Sequence, residues 1–254
     1  MAQDAKDIKV INNNLRKGFV AHRGLHSVAP ENSLRAISEA GRKGFAMCEI
    51  DAQLTSDGYW ILMHDPYVDR TTDGTGAVSS MTLAQIQSLK IDTPSRQIDT
   101  DEIIRVPLLE DVLAECALYG MGVTIDGQKY TVNTTNLNNL INLLKKYGLL
   151  EKSAFYMPTI QDRLIASQFP EITLLYTTSV SNIENVLAEV SNYDNPILIG
   201  FRSSDTTEVA IKRCYEEGYG VYIWNAHEFR TAYQWLKKGA QYVETNYVIP
   251  GGEF

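Results

Sequence analysis

The sequence has few cysteines, and their spacing gives no basis for a disulfide framework or a zinc site. There are three, Cys48, Cys116 and Cys214, an odd number with no CxxC pair among them. Cys48 and Cys116 fall within apolar segments, where a free cysteine usually behaves as a small buried hydrophobic residue. We therefore expect free, buried thiols.

Long apolar runs and an excess of basic residues are also lacking. No run approaches the roughly 20 apolar residues that a membrane-spanning helix needs, and residues 1–14 lack the apolar core of a signal peptide. The net charge of −8, from 23 basic and 31 acidic residues, argues against a nucleic-acid surface. We expect a soluble protein without nucleic-acid partner or stable membrane association, cytoplasmic or, if a signal peptide was removed, periplasmic or secreted. The oligomeric state stays open.

The sequence does contain a regular alternation of short apolar runs and amphipathic segments, which predicts an α/β protein with parallel strands. The predicted strands are 18–24, 45–54, 59–65, 122–127, 153–158, 172–179, 196–204, 220–226 and 240–246. Eight strands close a barrel, so the surplus strand is expected in a hairpin around SDG (56–58) or at the rim. An open doubly wound sheet is the rival arrangement, but no GxGxxG motif follows the first strand. The predicted fold is a (β/α)8 TIM barrel.

Residues 66–105 interrupt this alternation after the third predicted strand. They are turn-rich and polar around one short amphipathic segment at 81–90. A non-repeating insertion of this length is more typical of a cap over a site than of a separate domain. We therefore predict a single domain, 1–254, with a small cap insertion at 66–105.

Two carboxylates follow each other closely on the second predicted strand. Glu49 and Asp51 are two residues apart, so on a strand their side chains share one face, about 6.6 Å apart. Two carboxylates in one mouth raise each other's pKa, and a divalent cation removes that cost. An all-oxygen site suits Mg²⁺ or Ca²⁺. The alternative is that one of the pair is a solvated charge at the rim.

Histidines and an arginine stand at the ends of neighbouring apolar runs. His22 and His64 each follow a predicted strand, and imidazole is suited to general acid and base catalysis near neutral pH. Arg23 is a fixed cation that suits phosphate or carboxylate oxygens. A structural role for the histidines, and an ion pair of Arg23 with Glu31 or Asp51, are the alternatives.

Taken together, these motifs resemble those of the glycerophosphodiester phosphodiesterase family, a group of TIM-barrel enzymes. The matching stretches are HRG (22–24), PEN (30–32), EID (49–51), T-x-DG (55–58), HD (64–65), RTT (70–72) and PLLEDVL (107–113). The spacing among the first five also agrees, and a thinner likeness extends to the C-terminus. Asn32, within PEN, is predicted to cap the helix that follows it.

The resemblance implies metal-dependent hydrolysis of a glycerophosphodiester, a small molecule of lipid and glycerol metabolism, to glycerol 3-phosphate and an alcohol. The implied cofactor is one divalent cation, Mg²⁺ or Ca²⁺, with Glu49 and Asp51 among its ligands. His22 and His64 would be the acid–base pair, and Arg23 would hold the phosphoryl oxygens.

The sequence departs from the family on its fourth barrel strand, where a Glu-x-Lys motif is usual. Here Asp126 stands for the glutamate, as the expected third metal ligand, and Gln128 for the lysine, as a substrate-binding residue. Lys129 is one place later, which on a strand directs it to the opposite face unless Gly127 allows a bulge.

The later strands depart as well, which affects substrate identity more than reaction type. The tryptophan strand reads WNAH where the family tends to WTVN, and the closing Thr-Asp is Thr245-Asn246. Glu31, Tyr156 and Trp224 complete the predicted substrate-binding set, although aromatic residues at strand positions are also common in cores.

Two other functions are compatible with these motifs. A phospholipase similar to sphingomyelinase D would act on a lipid with the same histidine and carboxylate chemistry, but the chain lacks a basic amphipathic face. A non-catalytic relative would bind a phosphodiester without turning it over, having lost the strand-4 lysine.

Overall fold

Eight short parallel strands close into a barrel in the computed structural model, which describes residues 17–91 and 103–251. The strands of these ranges are β1 (Gly18–His22), β2 (Met47–Ile50), β3 (Ala52–Leu54), β4 (Trp60–Leu62), β5 (Gly122–Asp126), β6 (Ala154–Tyr156), β7 (Thr173–Thr178), β8 (Ile197–Arg202), β9 (Gly220–Trp224) and β10 (Tyr242–Thr245). Around the barrel they follow the order β1-β10-β9-β8-β7-β6-β5-β2, and β1 closes the ring by pairing with both β2 and β10.

Helices follow most of the barrel strands, which confirms the predicted (β/α)8 barrel. They are α1 (Leu34–Arg42), α3 (Leu109–Leu118), α4 (Thr134–Lys146), α5 (Ile160–Ala166), α6 (Ile183–Val190), α7 (Glu208–Glu216) and α8 (Phe229–Lys237), and α2 (Leu83–Ser88) lies in the segment after β4. Their amphipathic pattern explains their position: α4 buries Leu137, Leu140, Ile141 and Leu144, which form one stripe on the helix. Each such leucine contributes about 1.5–3 kcal/mol by leaving water.

The second predicted strand is in fact two strands. Residues 45–54 break at Asp51, where the chain leaves the barrel after β2 and enters β3. β3 pairs antiparallel with β4, and the Gln53 amide donates to the carbonyl oxygens of Met63 (2.6 Å) and Asp65 (2.8 Å). The surplus strand therefore lies in the hairpin around SDG. The expectation that Glu49 and Asp51 share one strand is wrong, because Asp51 lies at the break.

The barrel interior and the rim are built from the same strand faces. A buried cluster inside the barrel is formed by Val20, Ala46, Met47, Ala154, Leu175, Leu198, Tyr222 and Tyr242. Side chains two residues further along a strand lie on the same face. His22 and Glu49 thus stand one layer above Val20 and Met47, at the rim where the strands end.

The part of the predicted cap that the structure describes has a small core of its own. Val68, Val78 and Ile86 are buried against Ile61 and Met63 of the hairpin region. α2 begins with a capping box, in which Thr82 and Gln85 satisfy each other's backbone N–H groups. Residues 92–102 of the predicted insertion lie outside the described ranges.

Cys48, Cys116 and Cys214 are free and buried, as predicted. The predicted N-cap at Asn32 is wrong, because the Ser33 side chain caps α1 by accepting the backbone N–H of Ala36.

Candidate active site

Three carboxylates converge at the C-terminal ends of two neighbouring barrel strands. Glu49 lies on β2, Asp51 directly after it, and Asp126 ends β5, which pairs with β2. One oxygen of each lies within 4.8 Å of the others, and both Glu49 and Asp51 are buried. The structure thus brings together the three residues that the sequence indicates as metal ligands.

The electrostatics of this cluster are unfavourable without a further cation. Burial raises the pKa of Glu49 well above its usual range, and the negative charges of Asp51, Glu244 and Asp126 add to the rise. Burial also raises the pKa of Asp126, against a hydrogen bond of 2.8 Å from the backbone N–H of Gln128. Oxygen donors that repel one another in a buried position fit a hard divalent cation.

Lys129 contributes a positive charge to the same cluster. Its Nζ atom lies 3.7 Å from an Asp51 oxygen and 3.7 Å from an Asp126 oxygen. Strand alternation does not turn Lys129 away, because β5 ends at Asp126 and the chain then turns at Gly127, the residue on which that expectation depended. A Cβ on Gly127 would lie 2.3 Å from the Tyr156 carbonyl oxygen, so only glycine permits this turn.

His22, at the end of β1, points one ring nitrogen at the cluster. Its Nε2 atom lies 3.9 Å from Glu49, and its Nδ1 atom lies 2.7 Å from the side-chain oxygen of Asn246. Because a carboxamide oxygen only accepts hydrogen bonds, this contact requires a proton on Nδ1, so that in the neutral imidazole the lone pair is on Nε2. Asn246 is therefore a residue of the site that the sequence reasoning noted only as a departure.

His64 stands beside a carboxylate that is held as an anion. Its Nδ1 atom lies 2.6 Å from Asp65, and Asp65 also accepts two hydrogen bonds from Arg70, at 2.5 and 3.1 Å. The hydrogen bonds from Arg70 are the main cause that lowers the pKa of Asp65 to about 2. His64 is also near enough to Asp126 for its charge to lower the pKa of that carboxyl.

Arg23 connects the cluster to Glu31. Its backbone N–H donates to Glu49 (3.0 Å), its Nε lies 3.4 Å from Asp51, and its NH1 donates to Glu31 (3.0 Å). Arg70 binds the same Glu31 carboxylate at 2.7 and 3.1 Å. Burial alone would raise the pKa of Glu31, but Arg70 and Arg23 lower it to about 2. Glu31 therefore holds both guanidinium groups.

Backbone strain is concentrated here. In the described part of the chain, the non-glycine residues with positive φ are Arg23 (54°), Asn32 (52°) and Asn225 (61°). This conformation costs of order 1–3 kcal/mol and is found mainly at functional sites. Asn32 adopts it while its side-chain amide donates to Asp51 at 2.6 Å and its side-chain oxygen accepts the Asp51 N–H at 3.3 Å. That second task explains why Asn32 does not cap α1.

A cavity of about 400 Å³ adjoins the carboxylates at the mouth of the barrel. Its walls are formed by His22, Arg23, Glu49, Thr124, Asp126, Gln128, Tyr156, Leu175, Thr177, Tyr222, Trp224, Asn225 and Glu244. Gln128, Tyr156 and Trp224, which the sequence indicates as substrate-binding residues, thus line one space with His22 and with two of the three carboxylates.

Glu244 is a further charged residue that the sequence reasoning missed. It is buried on β10, lines the cavity and accepts a hydrogen bond of 2.6 Å from the Tyr222 hydroxyl. Burial and the negative Glu244 raise the pKa of Tyr222. A glutamate within the apolar run AQYVETN was the available signal, since an unpaired charge on a barrel strand must face either solvent or a site.

Known proteins resemble this chain in sequence over most of its length. The family model of the glycerophosphoryl diester phosphodiesterase family matches residues 22–249. Glycerophosphodiester phosphodiesterase 1 of Bos taurus is 37% identical over 121 residues, which cover 48% of this chain and 37% of the bovine protein. A glycerophosphodiester phosphodiesterase of Caldanaerobacter subterraneus is 26% identical over 231 residues, covering 89% of this chain and 93% of that protein.

The fold is shared with solved structures. A phosphodiesterase of Oleispira antarctica, in complex with the product sn-glycerol-3-phosphate, superposes with a TM-score of 0.77 at 23% identity, covering 91% of this chain and 93% of that chain. At this identity the likeness establishes the barrel fold. In residues 17–91 and 103–251, no helix is long and apolar enough to cross a membrane.

Proposed function

This chain belongs to the glycerophosphoryl diester phosphodiesterase family, and we propose that it hydrolyses a small-molecule glycerophosphodiester to glycerol 3-phosphate and an alcohol. The observation that carries the proposal is a cluster of three carboxylates beside one cavity, whose wall includes two of them together with His22 and Arg23. Hydrolysis of a phosphodiester requires positive charge next to the phosphoryl oxygens, and both an arginine and a cation held by acidic ligands supply it.

Glu49, Asp51 and Asp126 would hold one divalent cation, and we propose Mg²⁺ or Ca²⁺ because all the side-chain donors are oxygens. When bound, such an ion withdraws electron density from a phosphoryl oxygen and neutralises its charge. Lys129, between Asp51 and Asp126, adds positive charge at the same place.

The two histidines divide the proton transfers. His22, with a free Nε2 lone pair, takes a proton from the attacking water as its oxygen bonds to phosphorus. His64, bonded to the Asp65 anion that balances an imidazolium, gives a proton to the alcohol oxygen as its bond to phosphorus breaks. One proton is taken and one is given, so the products are the phosphomonoester and the free alcohol.

The remaining residues position the substrate. Arg23, held by Glu31, binds the phosphoryl oxygens with its free donors. Gln128, Tyr156 and Trp224 contact the two alcohol substituents along the cavity wall.

We also propose that residues 66–105 act as a cap within the single domain. Arg70, which belongs to this segment, binds Asp65 and Glu31 at the rim and so ties the segment to the active site.

The position of Lys129 bears on the non-catalytic alternative. That alternative rested on the loss of the strand-4 lysine, whereas the Lys129 ammonium lies within the carboxylate cluster. The phospholipase alternative keeps the same chemistry on a lipid and is separated from our proposal by experiment.

The test is a product assay with metal add-back. Purified protein is treated with EDTA and then supplied with Mg²⁺ or Ca²⁺, and glycerol 3-phosphate is measured from several glycerophosphodiesters. We expect turnover to be lost with EDTA and restored by one of the ions. A folded, metal-replete protein that cleaves none of the diesters would overturn the proposal, and cleavage of phospholipid vesicles alone would favour the phospholipase.

A further inference from the structure

One arginine at the mouth of the barrel differs from the other cations there. Arg202 is the last residue of β8 and is exposed, and it stands in register with Trp224 on β9. Its guanidinium carbon lies 4.9 Å from the centre of the Trp224 ring. Trp224 is in turn part of the cavity wall. A positive charge thus covers part of the aromatic surface at the cavity mouth.

The other cations of the site are already balanced by carboxylates. Arg23 and Arg70 share Glu31, and Lys129 lies between two aspartates. No acidic side chain in residues 17–91 or 103–251 forms an ion pair with Arg202. The nearest acid along the chain, Asp205, accepts a hydrogen bond of 2.7 Å from the Ser204 hydroxyl instead. The charge of Arg202 is therefore available to a ligand.

The two ends of the cavity suit the two substituents of a phosphodiester differently. Glu244 and Tyr222 are buried and joined by a hydrogen bond, which makes a fixed polar floor suited to the invariant glycerol. Trp224 stands two residues beyond Tyr222 on β9, and its neighbour in register, Arg202, is exposed to solvent at the mouth. This end suits the alcohol, which varies from one glycerophosphodiester to another.

The contact between Arg202 and Trp224 favours some alcohol substituents over others beside the tryptophan ring. A quaternary ammonium group such as choline binds best to an open aromatic face. Here the guanidinium competes for the tryptophan ring and repels a second cation. The same group offers five N–H donors to hydroxyl, carboxylate or phosphate oxygens.

We propose that Arg202, stacked on Trp224, makes the enzyme prefer diesters whose alcohol is a neutral polyol or an anion over diesters of choline or ethanolamine. This inference rests on the proposed function, since it concerns the leaving alcohol of that reaction. It makes Arg202 a specificity-determining residue that contacts the alcohol and not the phosphoryl group.

The test compares kcat/KM for glycerophosphoinositol and glycerophosphocholine in the wild-type protein and in Arg202→Glu. We expect the wild type to favour the inositol diester, and the charge reversal to shift the ratio by about tenfold toward choline, mostly through KM. Arg202→Gln is expected to lie between them. Lys237→Glu makes the same charge change at an exposed position at the far end of α8, and it should leave the ratio unchanged.

Each outcome separates this inference from the proposed function. If the wild type cleaves no diester, the proposed function fails. If it cleaves diesters but prefers the choline substrate, or if Arg202→Glu slows both substrates equally, the function stands and the role of Arg202 is overturned. Circular-dichroism melting of each variant checks that the fold is intact, and an equal shift of the ratio in Lys237→Glu would also reject the inference.

Discussion

Two groups of charged side chains, each with buried members, are built in opposite ways in this protein. Arg163 on α5 and Glu189 on α6 form a closed pair, with 2.7 Å between Nε and the carboxylate. The hydroxyls of Tyr176 and Tyr193 and two backbone carbonyls complete it. Burial would raise the pKa of Glu189, but Arg163 and Tyr193 bring it below its ordinary value.

The carboxylate cluster at the barrel mouth has no such balance. Glu49, Asp51 and Asp126 meet within 4.8 Å, and the pKa of Glu49 is raised, although Arg23 and Lys129 are near. A balanced buried pair needs nothing further, whereas an excess of buried negative charge requires a ligand. Both groups contain buried charged side chains, Arg163 in the pair and Glu49 and Asp51 in the cluster, and charge balance distinguishes the structural ion pair from the site.

The largest expected effect follows from removing one charge from each group. Glu49→Gln should lower kcat/KM by roughly 1,000-fold, because a charged ligand of the proposed cation is lost. Its melting temperature should stay equal or rise in the absence of metal, since a repulsion is removed. Glu189→Gln is the matched control, in which turnover should stay within about twofold while the melting temperature falls. Near-normal turnover in Glu49→Gln would contradict the assignment.

Arg163→Met tests the structural side of the comparison. It leaves the partly exposed Glu189 carboxylate without its cation, so we expect the free energy of unfolding to fall by about 1–3 kcal/mol in urea denaturation. Turnover per folded molecule should not change. Adding Glu189→Met should restore most of the stability, and failure to do so would show that the pair matters for more than its charges.

Binding of the proposed cation should raise the free energy of unfolding through the carboxylate cluster and independently of the Arg163–Glu189 pair. At a hundred times its dissociation constant, Mg²⁺ or Ca²⁺ should add about 2.7 kcal/mol to the free energy of unfolding. Differential scanning calorimetry with ion and with EDTA measures this. We expect Asp126→Asn to reduce the shift and Arg163→Met to leave it intact. An equal shift in Asp126→Asn would place the ion elsewhere.

Glu31 is a balanced carboxylate inside the site, and its pH dependence gives the smallest effect. Its pKa is about 2 in the folded protein against 4.5 for the free side chain. A depressed pKa means that its contribution to stability is present above pH 4.5 and is lost as the pH falls toward 2. Glu31→Gln should therefore flatten the fall in melting temperature over that interval, an effect reduced by the partial exposure of the group. An unchanged slope would show that Glu31 does not titrate as a paired group.

The predictable part of the site consists of residues that end strands close together in sequence. His22 and Glu49 lie at the C-terminal ends of parallel barrel strands, which meet at one rim. His64 follows an apolar run as well, but that run is the hairpin strand β4. The alternation of apolar runs with amphipathic segments was enough to predict the barrel and the hairpin, because both are built from strands that lie close together in the sequence. Asp126 was predicted from the resemblance to the family, as the counterpart of the glutamate in its Glu-x-Lys motif, and it ends β5.

The residues that sequence reasoning misplaced or missed depend on turns and distant segments. Lys129 enters the cluster because the chain turns at Gly127, and the strand pattern left open whether Gly127 would interrupt the alternation. Asn32 leaves its predicted capping role for a hydrogen bond to Asp51, nineteen positions away. Asn246 reaches His22 across 224 positions, because barrel closure makes the first and last strands neighbours.

The sequence by itself determined the chemistry and the barrel, since strand alternation and the identity of the strand-end residues are local properties. The tertiary structure decided which charges are balanced. It pairs Arg70 with Glu31 and Lys129 with Asp126. Arg202 instead lies on the face of Trp224 and forms no ion pair within residues 17–91 and 103–251. Charge balance depends on distances of a few ångströms between side chains from different strands and loops. Those distances are fixed only when the barrel closes and the turns at its mouth are packed.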